Sequence, residues 1–405
     1  MKHLKKEKGF SLVSTIIIIV ITAIISGITT GVIMYSGYRQ STGLSYSEIS
    51  NDLALQDFLE VYSSILDDYY EDIDRSAMLE KAVSAMMDYL GDTYTTYLTE
   101  EETKSLAEKL AGEYKGIGIT IQDNEGTKIT DVAKNSPAYT AGLLVGDVVK
   151  YINDEDVSNY GAIKISSMIK NSNMESVKIG VMRNEELLTF ELKLSKLFVP
   201  AIASEVIEEN NKKIGYIFID TFSNTLAKQM EEKLNEFKEM QIDSLIIDVR
   251  DNSGGYLSAA EEVASLFLKK GSVIYSLEDK EEKEIFLDET DYYVDYKTIV
   301  LINKNSASAS EILAAALKDS YGATLLGEKS YGKGKVQQTL TLKDGSMVKY
   351  TSARWLTPLD KCIDGIGLNP DYEILNEYVY ADDDQKIITD IIDKQKPKAI
   401  EILTQ

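Results

Sequence analysis

The run Ser244-Leu245-Ile246-Ile247-Asp248-Val249-Arg250 is apolar at almost every position. A strand with one wet face alternates apolar and polar residues, whereas a strand covered on both faces does not. This run therefore predicts a buried parallel strand, and with it a layered α/β core. Its neighbours agree. Ile214–Ile219 and Thr298–Ile302 read as further strands, and Thr225 to Met240, Ala259 to Lys269 and Ser310 to Ser320 as helices between them. Upstream, Leu53, Leu55, Phe58, Leu59, Val61, Tyr62, Ile65 and Leu66 recur at helical spacing. A second helix is expected from about Met78 to Leu90, stopped by Gly91-Asp92. A short helical pair cannot bury both faces alone, so this region is expected to serve as a dimerisation arm. Residues 373–405 read as a charged helical arm at the other end.

Lys2, Lys5, Lys6 and Lys8 precede an uncharged stretch from Gly9 to Tyr38, whose centre is Ile16-Ile17-Ile18-Ile19-Val20-Ile21. About 20 apolar residues span a bilayer. The stretch is long for the apolar region of a signal peptide and has no clear Ala-x-Ala site, so an uncleaved anchor is expected. The lysines should stay cytoplasmic and place everything after about Arg39 outside.

The formal net charge of -23 argues against nucleic-acid binding, which needs a basic face. Cys362 is the sole cysteine and His3 the sole histidine, so no intrachain disulfide and no zinc site are expected. No metal or cofactor is predicted. A hydrolase built from this sequence has no histidine base within its folded part.

Residues 113 to 195 change character. Gly116-Ile117-Gly118-Ile119 opens a strand, and Ser136-Pro137-Ala138 leads to Ala141-Gly142-Leu143 and Gly146-Asp147. A strand over Val148–Ile152 and a helix over Gly161–Lys170 follow. This ordered set resembles a PDZ domain of the bacterial, protease-associated kind. The resemblance implies that backbone N–H groups of Gly116, Ile117, Gly118 and Ile119 receive a peptide's terminal carboxylate while the peptide adds as a strand. Lys170 to Ser176 lacks the glycine-rich turn often found there.

Asn305-Ser306-Ala307-Ser308-Ala309-Ser310-Glu311 stands at a strand-to-helix turn, where a nucleophile is well presented and where any of the three serines can cap the helix. First-turn N–H groups there can stabilise an oxyanion. Lys333 lies between glycines, and Gln337 is four residues on, which on a strand shares its face. To act as a base, Lys333 must be neutral near physiological pH, which burial without a carboxylate partner supplies. Gly327 to Lys333 also fits the start of a P-loop, but Gly334 stands where the Mg²⁺-binding Ser or Thr belongs.

Taken in order, Asp92-Thr93-Tyr94-Thr95-Thr96-Tyr97-Leu98, the PDZ-like module, Asp248 to Gly255, the serine segment, Gly327 to Gly334 and Thr357-Pro358 to Asp371 resemble the carboxyl-terminal processing proteases. These are serine peptidases with a Ser-Lys dyad. The resemblance implies an α/β (α+β) multidomain chain. Its parts are a cytoplasmic tail (1–9), a transmembrane anchor (10–35), a helical dimerisation region (36–103), a PDZ domain (104–195), a crotonase-like protease core (196–372) and a C-terminal helical arm (373–405). Carried onto the family's motif, the nucleophile is Ser308, the base Lys333 and its support Gln337. Oxyanion donors fall on backbone N–H groups of Gly254, Gly255 and Ala309. Glu311 and Asp319 match supporting polar positions, and Ser253 replaces a frequent proline. The implied function is cleavage of extracytoplasmic proteins or peptides whose free C-termini the PDZ domain captures. The competing reading is a PDZ scaffold with an inactive core.

Overall fold

The structure is a computed structural model that describes residues 51–123, 127–170, 175–380 and 388–405. The expected anchor and the 170–176 turn's central residues lie outside these. Among the described residues no helix is long and apolar enough to cross a membrane. The chain divides into two compact units, residues 1–83 and 84–405.

In the first unit, α1 (Leu53–Asp68) starts where Asp52 Oδ1 accepts the N–H groups of Ala54 and Leu55 at 2.9 and 3.2 Å. It buries only Tyr62, whose hydroxyl accepts from Arg75 Nε at 2.7 Å, and leaves Leu53, Phe58, Leu59 and Val61 exposed. α2 (Arg75–Tyr89) crosses the boundary in sequence.

The second unit opens with a turn at Asp92, then β1 (Thr96–Leu98) and α3 (Glu100–Ala111). Thr99 and Glu102 form a capping box at the start of α3, and Gly112 ends it at φ 68°. β2 (Glu113–Gly116) leads into the PDZ-like module: β3 (Ile119–Asp123), β4 (Thr127–Val132), α4 (Pro137–Ala141), β5 (Val148–Ile152), β6 (Glu155–Asp156), α5 (Ala162–Lys170), β7 (Ser176–Arg183) and β8 (Glu186–Lys193). These strands form an antiparallel sheet in the order β3-β4-β5-β7-β8, around a core that includes Ile117, Ile129, Val149, Ile165 and Ile179. β3 is an edge of that sheet. β9 (Ser195–Phe198) returns to pair with β2, so the way in and the way out of the module are zipped together.

The remaining elements are β10 (Ile202–Glu209), β11 (Lys212–Ile219), α6 (Leu226–Glu239), β12 (Ser244–Asp248), α7 (Leu257–Ser265), β13 (Val273–Glu278), β14 (Lys283–Leu287), β15 (Lys297–Ile302), α8 (Ala309–Ala316), a π-helical turn (Leu317–Tyr321), β16 (Thr324–Gly327), β17 (Lys335–Thr341), β18 (Met347–Leu356), β19 (Tyr372–Glu373), β20 (Glu377–Tyr380), β21 (Ile388–Ile392) and α9 (Gln395–Thr404). The main sheet runs β10-β11-β12-β15-β16-β19, parallel from β11 onward. β12 is buried at every position, for the reason its composition predicts: Leu245, Ile247 and Val249 pack on one side with α6, α7 and α8, and Ile246 packs on the other. A second, antiparallel sheet has the order β1-β18-β13-β14, with β17 also on β18.

The C-terminal region departs from the expected helical arm. β19 joins the main sheet, β20 pairs with β21, and α9 buries Ala399 and Leu403 against Ile214, Ile246, Ile299, Leu301 and Leu326. Two apolar residues one helical turn apart suffice to turn a charged helix into a cover for the sheet.

Candidate active site

The chemistry-bearing turns follow three adjacent parallel strands at their carboxyl ends, the usual place for a site in such sheets. β12 leads to Asn252–Gly255, β15 to Ser306–Ser308, and β16 to Lys333. Three serines compete at the middle turn, and their bonds separate them. Ser306 Oγ accepts from Asn303 N–H at 2.9 Å and donates to Val249 O at 2.8 Å. Ser310 Oγ donates to Asn252 O at 2.8 Å. Both hydroxyls are spent on the backbone. Ser308 is the N-cap of α8, in a capping box with Glu311, but its hydroxyl donates to no backbone carbonyl among the described residues, and it lines a cleft of about 700 Å³. Its backbone lies at φ 58° and ψ -118°, a conformation costing on the order of 1–3 kcal/mol for a residue with a side chain. Such strain at a strand-to-helix turn projects a hydroxyl outward.

Glu311 holds that turn. It is fully buried, and its carboxylate accepts four hydrogen bonds. Oε2 takes the N–H groups of Ser308 and Lys333, each at 2.9 Å. Oε1 takes Ser330 Oγ at 2.5 Å and Gly332 N–H at 2.7 Å. Burial pushes the Glu311 carboxyl up, while these four donors pull it down. One carboxylate thus ties the backbone of Ser308 directly to that of Lys333. Sequence placed Glu311 near the site without saying what it does.

Lys333 lines the same cleft as Ser308. Its Nζ lies 5.0 Å from the centroid of the Tyr94 ring and, among the described residues, pairs with no carboxylate. Burial pushes its ammonium below the ordinary value and Lys349 pushes the same way, while Asp92 and Glu311 oppose them. The indole Nε1 of Trp355 donates to Lys333 O at 2.8 Å, fixing the lysine's backbone from the other side.

Gln337 also lines the cleft, but not for the expected reason. Lys333 precedes β17, and a bulge between Val336 and Gln337 breaks the two-residue alternation. Gln337 Nε2 donates to Thr351 Oγ1 at 3.2 Å. Gly254 sits at φ 105°, and a Cβ there would come within 2.9 Å of both Ala307 O and Ser308 Cβ, so only glycine allows this approach. Its N–H, expected to face an oxyanion, donates instead to Asn252 Oδ1 at 2.8 Å. Asn252, which the sequence did not single out, also accepts Ala307 N–H at its carbonyl at 3.1 Å. Gly255 is on the cleft wall, and Ala309 opens α8 beside Gly254. Asp319 lies in the π-helical turn at the far end of α8, about 15 Å of helix from Ala309, and does not line the cleft. Leu106, Lys109 and Leu110 of α3 supply another wall, which no sequence signal announced.

In the PDZ-like module, the carbonyls of Ile117 and Gly118 accept from Ala138 and Ala133 at 2.9 and 3.0 Å, which fixes the loop. Gly118 has φ 86°, and a Cβ there would lie 2.2 Å from Ser136 Cβ. Ile119 begins β3, which among the described residues pairs on one side only, with β4.

The sequence matches Peptidase family S41 over residues 213–374, a PDZ domain over 115–194 and the Activating protease CtpB N-terminal domain over 36–103. A probable CtpA-like serine protease of Staphylococcus aureus (strain COL) is 32% identical over 406 residues, spanning 96% of this chain and 79% of that protein. The chain belongs to the carboxyl-terminal processing family of S41 serine peptidases. A second such relative, from Staphylococcus epidermidis (strain ATCC 12228 / FDA PCI 1200), is 31% identical over 92% of this chain and 74% of its own length. A solved photosystem II D1 C-terminal processing protease aligns at 25% identity over 79% of this chain and 87% of that one, with a TM-score of 0.47. As a member of this family, the protein is a serine-type peptidase carrying a PDZ domain.

Proposed function

We propose that this peptidase cleaves extracytoplasmic proteins or peptides near their C-termini through a Ser308/Lys333 dyad. The observation carrying this reading is the shared cleft: a strained Ser308 whose hydroxyl, unlike those of Ser306 and Ser310, donates to no backbone carbonyl among the described residues, and a half-buried lysine with no carboxylate partner there, both strung on Glu311. Neutral Lys333 takes the Ser308 proton as Oγ attacks the scissile carbonyl. In this reading the N–H groups of Gly255 and Ala309 receive the oxyanion, and Gly254 joins them once its N–H leaves Asn252. Lys333 then protonates the leaving amine, and water releases the acyl group. The Gly116–Ile119 loop and the β3 edge offer a peptide C-terminus its carboxylate contacts and a strand partner. The lysine-flanked apolar stretch Gly9–Tyr38 would anchor the chain with its catalytic part outside the cytoplasm. The exposed apolar side chains of α1 suit a homodimer.

The test is turnover of an unstructured protein by the purified full-length chain in detergent. Ser308→Ala and Lys333→Ala should each abolish cleavage. Parental rates in either variant would sink the dyad. Binding of C-terminal peptides without turnover by the parent would favour the scaffold reading instead.

A further inference from the structure

The segment Asp92-Thr93-Tyr94-Thr95 precedes the PDZ module in sequence yet lies beside the cleft. β1 brings it there, pairing Thr96, Tyr97 and Leu98 with Lys349, Val348 and Met347 of β18. Asp92 is mostly buried, and both its oxygens are used. Oδ2 accepts from Thr95 Oγ1 at 2.7 Å and Thr351 Oγ1 at 2.5 Å. Oδ1 accepts from Lys335 Nζ at 3.2 Å and from Tyr94 N–H at 3.4 Å. Thr351 N–H donates to Thr95 Oγ1 at 3.1 Å, which locks the turn to β18. Two arms then reach the cleft. Thr351 Oγ1 accepts Gln337 Nε2 at 3.2 Å, and the Tyr94 ring lies over Lys333 Nζ.

We propose that Asp92 is a positioning residue for the reaction: through Thr351 it aims Gln337 at the cleft, and through the turn it shares with Tyr94 it seats an aromatic ring on Lys333. The proposal deepens the Ser308/Lys333 reading and rests on it. A turn that merely anchored β1 would need backbone bonds only. Here the hydroxyl that binds Asp92 is the same one that holds Gln337. Asp92 also contributes to the electrostatics of the base, after burial and Lys349. The charged groups acting on Lys333 are Lys349 of β18, Glu311 of α8 and Asp92, and Lys335 Nζ lies 5.8 Å from the centroid of the Tyr94 ring. Desolvation pushes the Asp92 carboxyl up, but bonds from Thr351, Thr95, Lys335 and Tyr94 N–H outweigh it and hold it at about 2. It is therefore ionised wherever the enzyme works, and its charge favours the ammonium form of Lys333.

The experiment compares the full-length protein in detergent with Lys333→Ala, Asp92→Asn, Thr351→Val and Thr351→Ser, following kcat, KM and the pH profile. Thr351→Val should lose about ten-fold or more in kcat with KM and the rising pH limb unchanged, and Thr351→Ser should restore it. Asp92→Asn should lose kcat similarly and also move the rising limb to lower pH, because a charge favouring the ammonium is gone. A merely structural Asp92 would leave the limb in place. If the parent is active and Lys333→Ala is dead, yet Asp92→Asn and Thr351→Val match the parent in kcat and limb, this inference fails alone. If cleavage proceeds without Lys333, the dyad reading fails and this inference falls with it.

Discussion

Lys333 is costly to the fold because a half-buried ammonium has lost water and gained no carboxylate among the described residues. Activity should climb as pH rises through its lowered value, since the neutral amine is the working form. A rate profile flat from about pH 6 to 9 would contradict this. Lys333→Met should be inactive and more stable than the parent by about 1 kcal/mol, measured by urea unfolding. Glu311→Ala should do the opposite to stability. It leaves the N–H groups of Ser308, Gly332 and Lys333 without their acceptor and should cost at least ~3 kcal/mol along with activity. An unchanged denaturation midpoint would refute that. At this scale the sequence spoke through residue identity: a serine-rich turn and a glycine-flanked lysine in a chain whose sole histidine is His3. It could not say that Asn252 Oδ1 occupies the Gly254 N–H, because that bond depends on a turn geometry several sequences share.

Among the elements, α9 behaves least as its composition suggests. Its first turn is clamped by Arg250, which pairs with Asp248 at 2.6 Å and with Asp393 at 2.9 Å and donates to Gln395 Oε1 at 2.9 Å. Arg250→Met strands the buried Asp248 and should cost about 3 kcal/mol, with α9 loosening before the sheet melts. Hydrogen exchange of α9 amides is the readout. Desolvation pushes the Asp393 carboxyl up, but Arg250 outweighs it and leaves the carboxyl below its ordinary value. The Asp393 contribution is therefore full above the ordinary carboxylate range and is lost as pH falls through the lower folded value. In Arg250→Met that acid-side loss should shrink to what the N–H groups of Gln395 and Lys396 still supply, so the gap between parent and variant narrows at low pH. Periodicity revealed β12 and α8, whose apolar runs are long or unbroken. It missed β20 and β21, which are short and sit in a charged stretch.

For the whole molecule, α1 leaves a row of apolar side chains uncovered in its own unit. Full-length protein in detergent should sediment as a dimer, and the pair Phe58→Glu and Leu59→Glu should shift it to monomer while leaving the core's melting transition in place. A parent that sediments only as monomer would end the homodimer reading. The order of domains was legible because each carries its own periodicity and turn chemistry. The convergence of Asp92, Thr351 and Gln337 was not, since Asp92 lies 259 positions from the Thr351 hydroxyl that it shares with Gln337. The chain also holds a single tryptophan, Trp355, buried with its indole N–H on the carbonyl of Lys333. Excited at the red edge, where the tyrosines are silent, its emission reports on one indole hydrogen-bonded behind the base. Filling of the cleft, or acylation of Ser308, thereby becomes an optical signal that needs no label.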